Sequence, residues 1–254
     1  MMADRSAPIG IFDSGVGGIS VLREALSTLP HERFIYYGDT AHAPYGVKTP
    51  QEVLMRVQAV VDRLLAQGIK ALVIACNTAT GVAAKDLRAR LDIPVIGMEP
   101  ALKPASLLRR GGDVLVMATP VTLTQPKFAQ LMEAYGEGAI ALPCPGLMEF
   151  VERGMLGGEA LDAYLSRLFQ PFQGRQIDSV VLGCTHYIFL RGAIARHFTA
   201  ETRILDGNAG TVRQLRRKLD ETGMLLAGGE GGVTLETSGD AATVLPQMRR
   251  LLEI

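Results

Sequence analysis

Short apolar runs ending in small or polar residues recur along the chain, at 9–13 (IGIFD), 34–39 (FIYYGD), 71–76 (ALVIAC), 93–97 (IPVIG), 114–118 (VLVMA), 178–184 (DSVVLGC) and 202–206 (TRILD). Their apolar character is continuous rather than alternating, which predicts strands buried on both faces, as in a parallel sheet. Helical patterns lie between them, at 18–28, 50–67, 80–91, 124–135, 158–169, 189–197 and 208–220. In the second of these, apolar residues at 53, 54, 57, 60, 61, 64 and 65 follow a 3.6-residue period. Thr49 followed by Pro50 is its start signal. Strand and helix alternate, so the fold class is α/β.

Two segments match each other. ALVIACNTAT and SVVLGCTHYI each carry an apolar strand, a small residue, Cys and Thr, and they lie about one domain length apart. The chain therefore reads as two similar parallel-sheet α/β domains, related by duplication, with the active site in the cleft between them. The first domain is expected over 1–97 and the second over 98–206. The tail, 207–254, is Gly-rich and then strand-like, and is expected to complete the first domain at its sheet edge.

Composition narrows the partners. The chain has 254 residues, enough for two small domains at roughly 100 to 200 residues each. Its 26 basic side chains balance 26 acidic ones, with no run of five like charges, so nothing marks a surface for nucleic acid or an anionic membrane. No apolar run reaches the roughly 18 to 20 residues of a membrane span, and MMADRSAPIG lacks the apolar core of a secretory signal. A cytoplasmic protein is expected. The three cysteines, Cys76, Cys144 and Cys184, are too few for a disulfide framework and too scattered for a metal-type C-x-x-C, so an important thiol here would be free.

In open α/β sheets ligands gather beyond the carboxyl ends of the strands. Polar clusters sit at four such ends: Asp13-Ser14-Gly15, Gly38-Asp39-Thr40, Cys76-Asn77-Thr78 and Cys184-Thr185-His186. A lone Cys at a buried strand end is usually an inert small hydrophobe. Here there are two, each followed by polar side chains and a helix start, where free N–H groups favour a thiolate and lower the thiol pKa. Paired thiols suit disulfide redox, one nucleophile with an accessory thiol, or proton transfer on two faces of a carbon. Two-base proton transfer uses the symmetry of the strand ends most directly.

The remaining clusters each have a plain and a functional reading. IGIFDSGVGGIS invites a dinucleotide loop with Asp39 ending the next strand, but Ser20 stands where the third glycine of G-x-G-x-x-G belongs, and Asp13 would repel a pyrophosphate. Asp13 suits holding an ammonium group or orienting a thiol; Asp13-Ser14 could equally cap a helix. Pro44-Tyr45-Gly46 is either a simple turn or a loop whose N–H groups bind a carboxylate. His186 is either a core histidine or an aid to the Cys184 thiol. Cys144, between two prolines, reads as structural.

Taken together, FDSGVGG, YYGDTAHAPYG, ACNTAT and GCTHY, in this order over about residues 9 to 220, resemble the glutamate racemases of the aspartate/glutamate racemase superfamily. The resemblance implies cofactor-independent interconversion of L- and D-glutamate, supplying D-glutamate for peptidoglycan, with no pyridoxal phosphate or metal, in a homodimer. It places the catalytic thiols at Cys76, acting on D-glutamate, and Cys184, acting on L-glutamate, with Asp13 and His186 as their assistants. It places substrate contacts at Asp13, Ser14, Tyr45, Gly46, Asn77, Thr78, Thr185 and His186, and supporting acidic groups at Asp39 and Glu152. Two departures stand out: His42-Ala43 where Arg and a bulkier residue are frequent, and Ile188 in place of a Pro. The alternatives are a racemase for aspartate or another substrate of the superfamily, and a non-catalytic dinucleotide-binding or regulatory protein.

Overall fold

The computed structural model describes residues 4–254. Its strands form two parallel sheets. In the first, β1 (Ile9–Asp13) lies at the centre between β2 (Arg33–Gly38) and β3 (Ala71–Ile74), with β4 (Val95–Gly97) and β9 (Gly232–Thr237) at the two edges. In the second, β5 (Asp113–Ala118) is flanked by β6 (Ala139–Pro143) and β7 (Ile177–Leu182), and β8 (Arg203–Asp206) extends the sheet beyond β7. The register sets Asp13 opposite Gly38 and Phe12 opposite Ile74, so β1, β2 and β3 end side by side. Met117 likewise pairs with Leu182, aligning the ends of β5 and β7.

The helix α2 (Pro50–Ala66) shows how the sequence builds these layers. The Thr49 side chain accepts from the Glu52 N–H while the Glu52 carboxylate accepts from Thr49, and Pro50 opens the first turn. That capping box satisfies backbone donors the helix cannot satisfy itself. Val53, Val57, Val60, Val61 and Leu64 form its buried stripe. They pack with Phe12, Leu72 and Ile74 and with Ala83 and Leu87 of α3 (Asn77–Arg90) on the outer face of the first sheet. Each such side chain contributes about 1.5 to 3 kcal/mol on burial. The largest apolar cluster runs from one sheet to the other, joining Ile11 and Tyr36 to Leu115, Leu182 and Tyr187.

Two local expectations need correction. α3 begins at Asn77, directly after the cysteine, because Cys76 itself serves as the N-cap. After Cys184 the chain enters a 3-10 segment, Thr185–Leu190, before the short α9 (Arg191–Ala195), so the two cysteine ends are not structural copies. Four helices also go beyond the sequence pattern: α4 (Leu102–Leu107), α5 (Pro120–Thr124) and α7 (Leu147–Glu152), too short to show a period, and α11 (Ala241–Glu253), with Pro246 inside it. No helix among the described residues is long and apolar enough to cross a membrane.

Candidate active site

The strand ends of both sheets converge on one small cavity. Asp13, Ser14, Gly46, Cys76, Asn77 and Thr78 line it from the side of the first sheet. Thr119, Thr122, Met148, Gly183, Cys184, Thr185 and His186 line it from the side of the second. All three cysteines are free, and both cavity thiols are buried.

Around Cys76 the hydrogen bonds form a chain of neutral groups ending on a carboxylate. The Cys76 thiol donates to Ser14 Oγ at 3.8 Å, and Ser14 donates to Asp13 Oδ1 at 3.1 Å. The Ser14 N–H reaches the same oxygen at 2.6 Å, and the Thr185 hydroxyl donates to Oδ2 at 2.7 Å from the other half of the molecule. Asp13 is fully buried, and burial raises its pKa despite the opposing pull of His186 and Thr185. Burial first, and the Asp13 charge second, push the Cys76 thiol up as well; the Ala79 N–H, 3.5 Å from Sγ, only partly offsets them. The expectation that a helix start lowers this thiol is therefore wrong, because desolvation outweighs one long backbone hydrogen bond. Asp13-Ser14 does not cap a helix either: α1 (Ile19–Thr28) has Gly18 at its N-cap and no side-chain cap.

Around Cys184 the partners are ionic. His186 Nδ1 lies 3.7 Å from Cys184 Sγ, and Nε2 lies 2.6 Å from Glu152 Oε1. Burial alone would lower the imidazole, yet the hydrogen bonds to Cys184 and Glu152 outweigh it and hold His186 well above its usual range. Glu152, at the end of α7 (Leu147–Glu152), also accepts the Val16 N–H at 2.8 Å. The Gly17 N–H points at His186 Nε2 from 3.2 Å.

This explains the glycine-rich loop. Gly15 and Gly17 have ordinary φ values, but an added Cβ at Gly15 would overlap the Glu152 carboxylate, and one at Gly17 the His186 ring. The glycines admit side chains from the second half of the chain. The space a pyrophosphate would need is filled by Glu152 and His186, which argues against a dinucleotide loop.

The loop after β2 is ordered by Asp39. Its carboxylate accepts the Tyr45 hydroxyl at 2.6 Å and meets His42 Nδ1 at 2.8 Å. Asp39 and Tyr45 do not line the cavity; Gly46 does, close against Thr119. Asn77 is buried, and neither its Nδ2 nor its Oδ1 has a partner among the described residues, so the cavity presents one donor and one acceptor for a ligand. Cys144 is buried outside the cavity, its S–H directed to the Leu142 carbonyl at 3.3 Å. Thr119, Thr122, Met148 and Gly183 are absent from the residues singled out in the sequence. VLVMATP carried a signal for the first of these: an apolar strand ending on Thr-Pro is another strand terminus with a capped helix behind it.

The site is thus an arrangement of two thiols, one linked to a carboxylate through a serine and one beside an imidazole–carboxylate pair. This suits proton transfer at carbon. Residues 14–215 match the Asp/Glu/hydantoin racemase family. The chain belongs to that family, a class of isomerases. It is 49% identical to the glutamate racemase of Clostridium perfringens over 98% of both chains, and 48% identical to that of Clostridium acetobutylicum over the full length of both. Among solved structures, it is similar to a glutamate racemase isoform from Bacillus anthracis, with a TM-score of 0.88 at 28% identity, covering 99% of this chain and 96% of that one. It is also similar to the Thermus thermophilus glutamate racemase, determined with beta-chloro-D-alanine, with a TM-score of 0.79 at 34% identity over 98% and 94%.

Proposed function

We propose that this protein interconverts L- and D-glutamate with Cys76 and Cys184 as the two acid–base groups, and that it supplies D-glutamate for peptidoglycan. The observation that carries the reading is that both sulfurs, from strand ends of separate sheets, line one cavity with an unpartnered Asn77 amide between polar walls. Near-full-length identity to glutamate racemases supports glutamate over aspartate. The homodimer and cytoplasmic location implied by the resemblance belong to the same proposal.

The neighbours of the two sulfurs differ: His186 lies beside Cys184, while the Cys76 thiol donates to a chain leading through Ser14 to Asp13. Cys184 then removes the α-proton of L-glutamate, the electron pair moves onto the α-carboxylate, and Cys76 delivers its proton to the other face. The product leaves Cys76 as thiolate and Cys184 as thiol, the form ready for D-glutamate. Asn77, Thr78 and Thr185 offer the N–H and O–H groups that stabilise the carboxylate charge as it develops. Asp13 offers a counter-charge for the substrate ammonium, whose positive charge makes a thiolate at Cys76 accessible.

The cavity has about 10 Å³ of free volume, room for about one water and not for glutamate. Entry therefore requires the two units, 1–97 with 207–254 and 98–206, to part and close again, which also dries the site. Circular dichroism of L-glutamate and L-aspartate incubated with the protein tests the reading. Decay of the glutamate signal to zero, with aspartate unchanged, is expected; a stable glutamate signal contradicts it.

A further inference from the structure

The α5–α6 corner of the second half docks on the first turns of α3, beside the cavity. At its tip is Gln125, between α5 (Pro120–Thr124) and α6 (Pro126–Tyr135), with φ −75° and ψ 142°. The following proline favours this extended backbone. Gln125 is only 8% exposed, and its Nε2 donates to the Thr78 carbonyl at 3.1 Å. Its amide lies against Gly81, where an added Cβ would overlap both Oε1 and Cδ.

Gly81 sits inside α3 with an ordinary helical φ, so its backbone does not require glycine. Alanine is the better helix former there. The missing side chain instead makes a notch that the Gln125 amide fills. Next to this peg, the hydroxyls of Thr78, Thr119 and Thr122 form a triangle with edges of 3.2, 3.0 and 2.9 Å, two from the second half and one from the first.

We propose that Gln125 is a positioning residue for the reaction: seated in the Gly81 notch and bonded to Thr78, it sets how closely the two halves meet and so brings the α3 start, with Cys76, Asn77 and Thr78, to its working place opposite Cys184. The kinetic part of this proposal rests on the racemase reading above. The docking part does not.

The test compares Gly81→Ala, Gln125→Ala, the double variant and Gln125→Glu in the full chain. Gly81→Ala evicts the peg and Gln125→Ala deletes it. Each is expected to lower kcat/KM for glutamate by about three- to tenfold, chiefly through KM, because fewer molecules adopt the closed form that holds substrate. The double variant loses no more than the worse single. Gln125→Glu keeps the shape but places a carboxylate against the Thr78 carbonyl, and loses at least as much as Gln125→Ala. Losses that multiply in the double variant, or a fully active Gln125→Glu, overturn the proposal.

Amide hydrogen exchange on the same proteins gives a readout independent of activity. Gly81→Ala speeds exchange at 120–125, and Gln125→Glu speeds it at 77–82, across the interface in each case. A Gly81→Ala variant that merely slows exchange along α3, as a better helix former would, overturns the proposal. Failure of the wild-type protein to racemise glutamate, with these exchange effects present in the variants, refutes the functional reading and leaves the docking role standing.

Discussion

The two thiols occupy equivalent places in two similar sheets, yet their surroundings are opposites. Cys76 follows β3, caps a true α-helix and faces a serine with a buried carboxylate behind it. Cys184 follows β7, leads into a 3-10 segment and faces an imidazole with a carboxylate behind that. The strand positions repeat; the backbone after each cysteine and the electrostatics do not. A reaction between mirror-image substrates of equal energy needs two groups of the same kind, but one must begin with a proton and the other without it. Under the proposed mechanism, this difference in neighbours is what distinguishes the two sulfurs.

The largest effect that could break this comparison is removal of either sulfur. Cys76→Ala and Cys184→Ala are each expected to reduce racemisation of both enantiomers by at least about 10³-fold, within the range for a positioned acid–base group. Polarimetry over hours measures it. Turnover near wild type in either variant removes that cysteine from the mechanism.

Next in size is a contrast between the assisting groups. His186→Asn deletes the cation beside Cys184 and is expected to cost about 10²-fold in kcat. Ser14→Ala deletes the acceptor of the Cys76 thiol, at 3.8 Å, and one of the donors to Asp13, at 3.1 Å, and is expected to cost about threefold. Equal losses would mean that the two sides are chemically alike.

The smallest expected effect is on stability. The pKa of His186 in the folded protein is raised above its unfolded value of about 6.5. Such a group stabilises the fold fully below the unfolded pKa, and the contribution disappears as pH rises through the folded one. The melting-temperature gap between wild type and His186→Asn should therefore be widest below about pH 6.5 and narrow as the pH is raised. A gap that widens with pH means that the imidazole is buried neutral.

Much of this asymmetry was not legible in the sequence. The strands were, because a parallel sheet buried on both faces leaves continuous apolar runs, and the polar strand ends followed from the same rule. The direction of the Cys76 shift was not: helix-start reasoning weighs local N–H groups, whereas burial and Asp13, brought in from a neighbouring strand, decide the sign. Glu152 stood out only through resemblance, since in LMEFVERG it is one charge on a short helix until the fold lays it on His186 and Val16. Asp39 ended a strand like the others, yet its carboxylate turns to Tyr45 and His42 and orders a loop. Thr119 and Thr122 carried no conspicuous chemistry and gain it only by facing Thr78 from the opposite half.

The most direct test of the two-thiol account follows the wild-type protein in heavy water, starting from L-glutamate and sampling before equilibrium. Separate groups on opposite faces predict that deuterium appears at the α-carbon of the D-glutamate formed, while the remaining L-glutamate stays protiated. Deuterium entering the remaining L-glutamate as fast as D-glutamate appears would show a single base returning solvent protons to both faces, and would contradict the account.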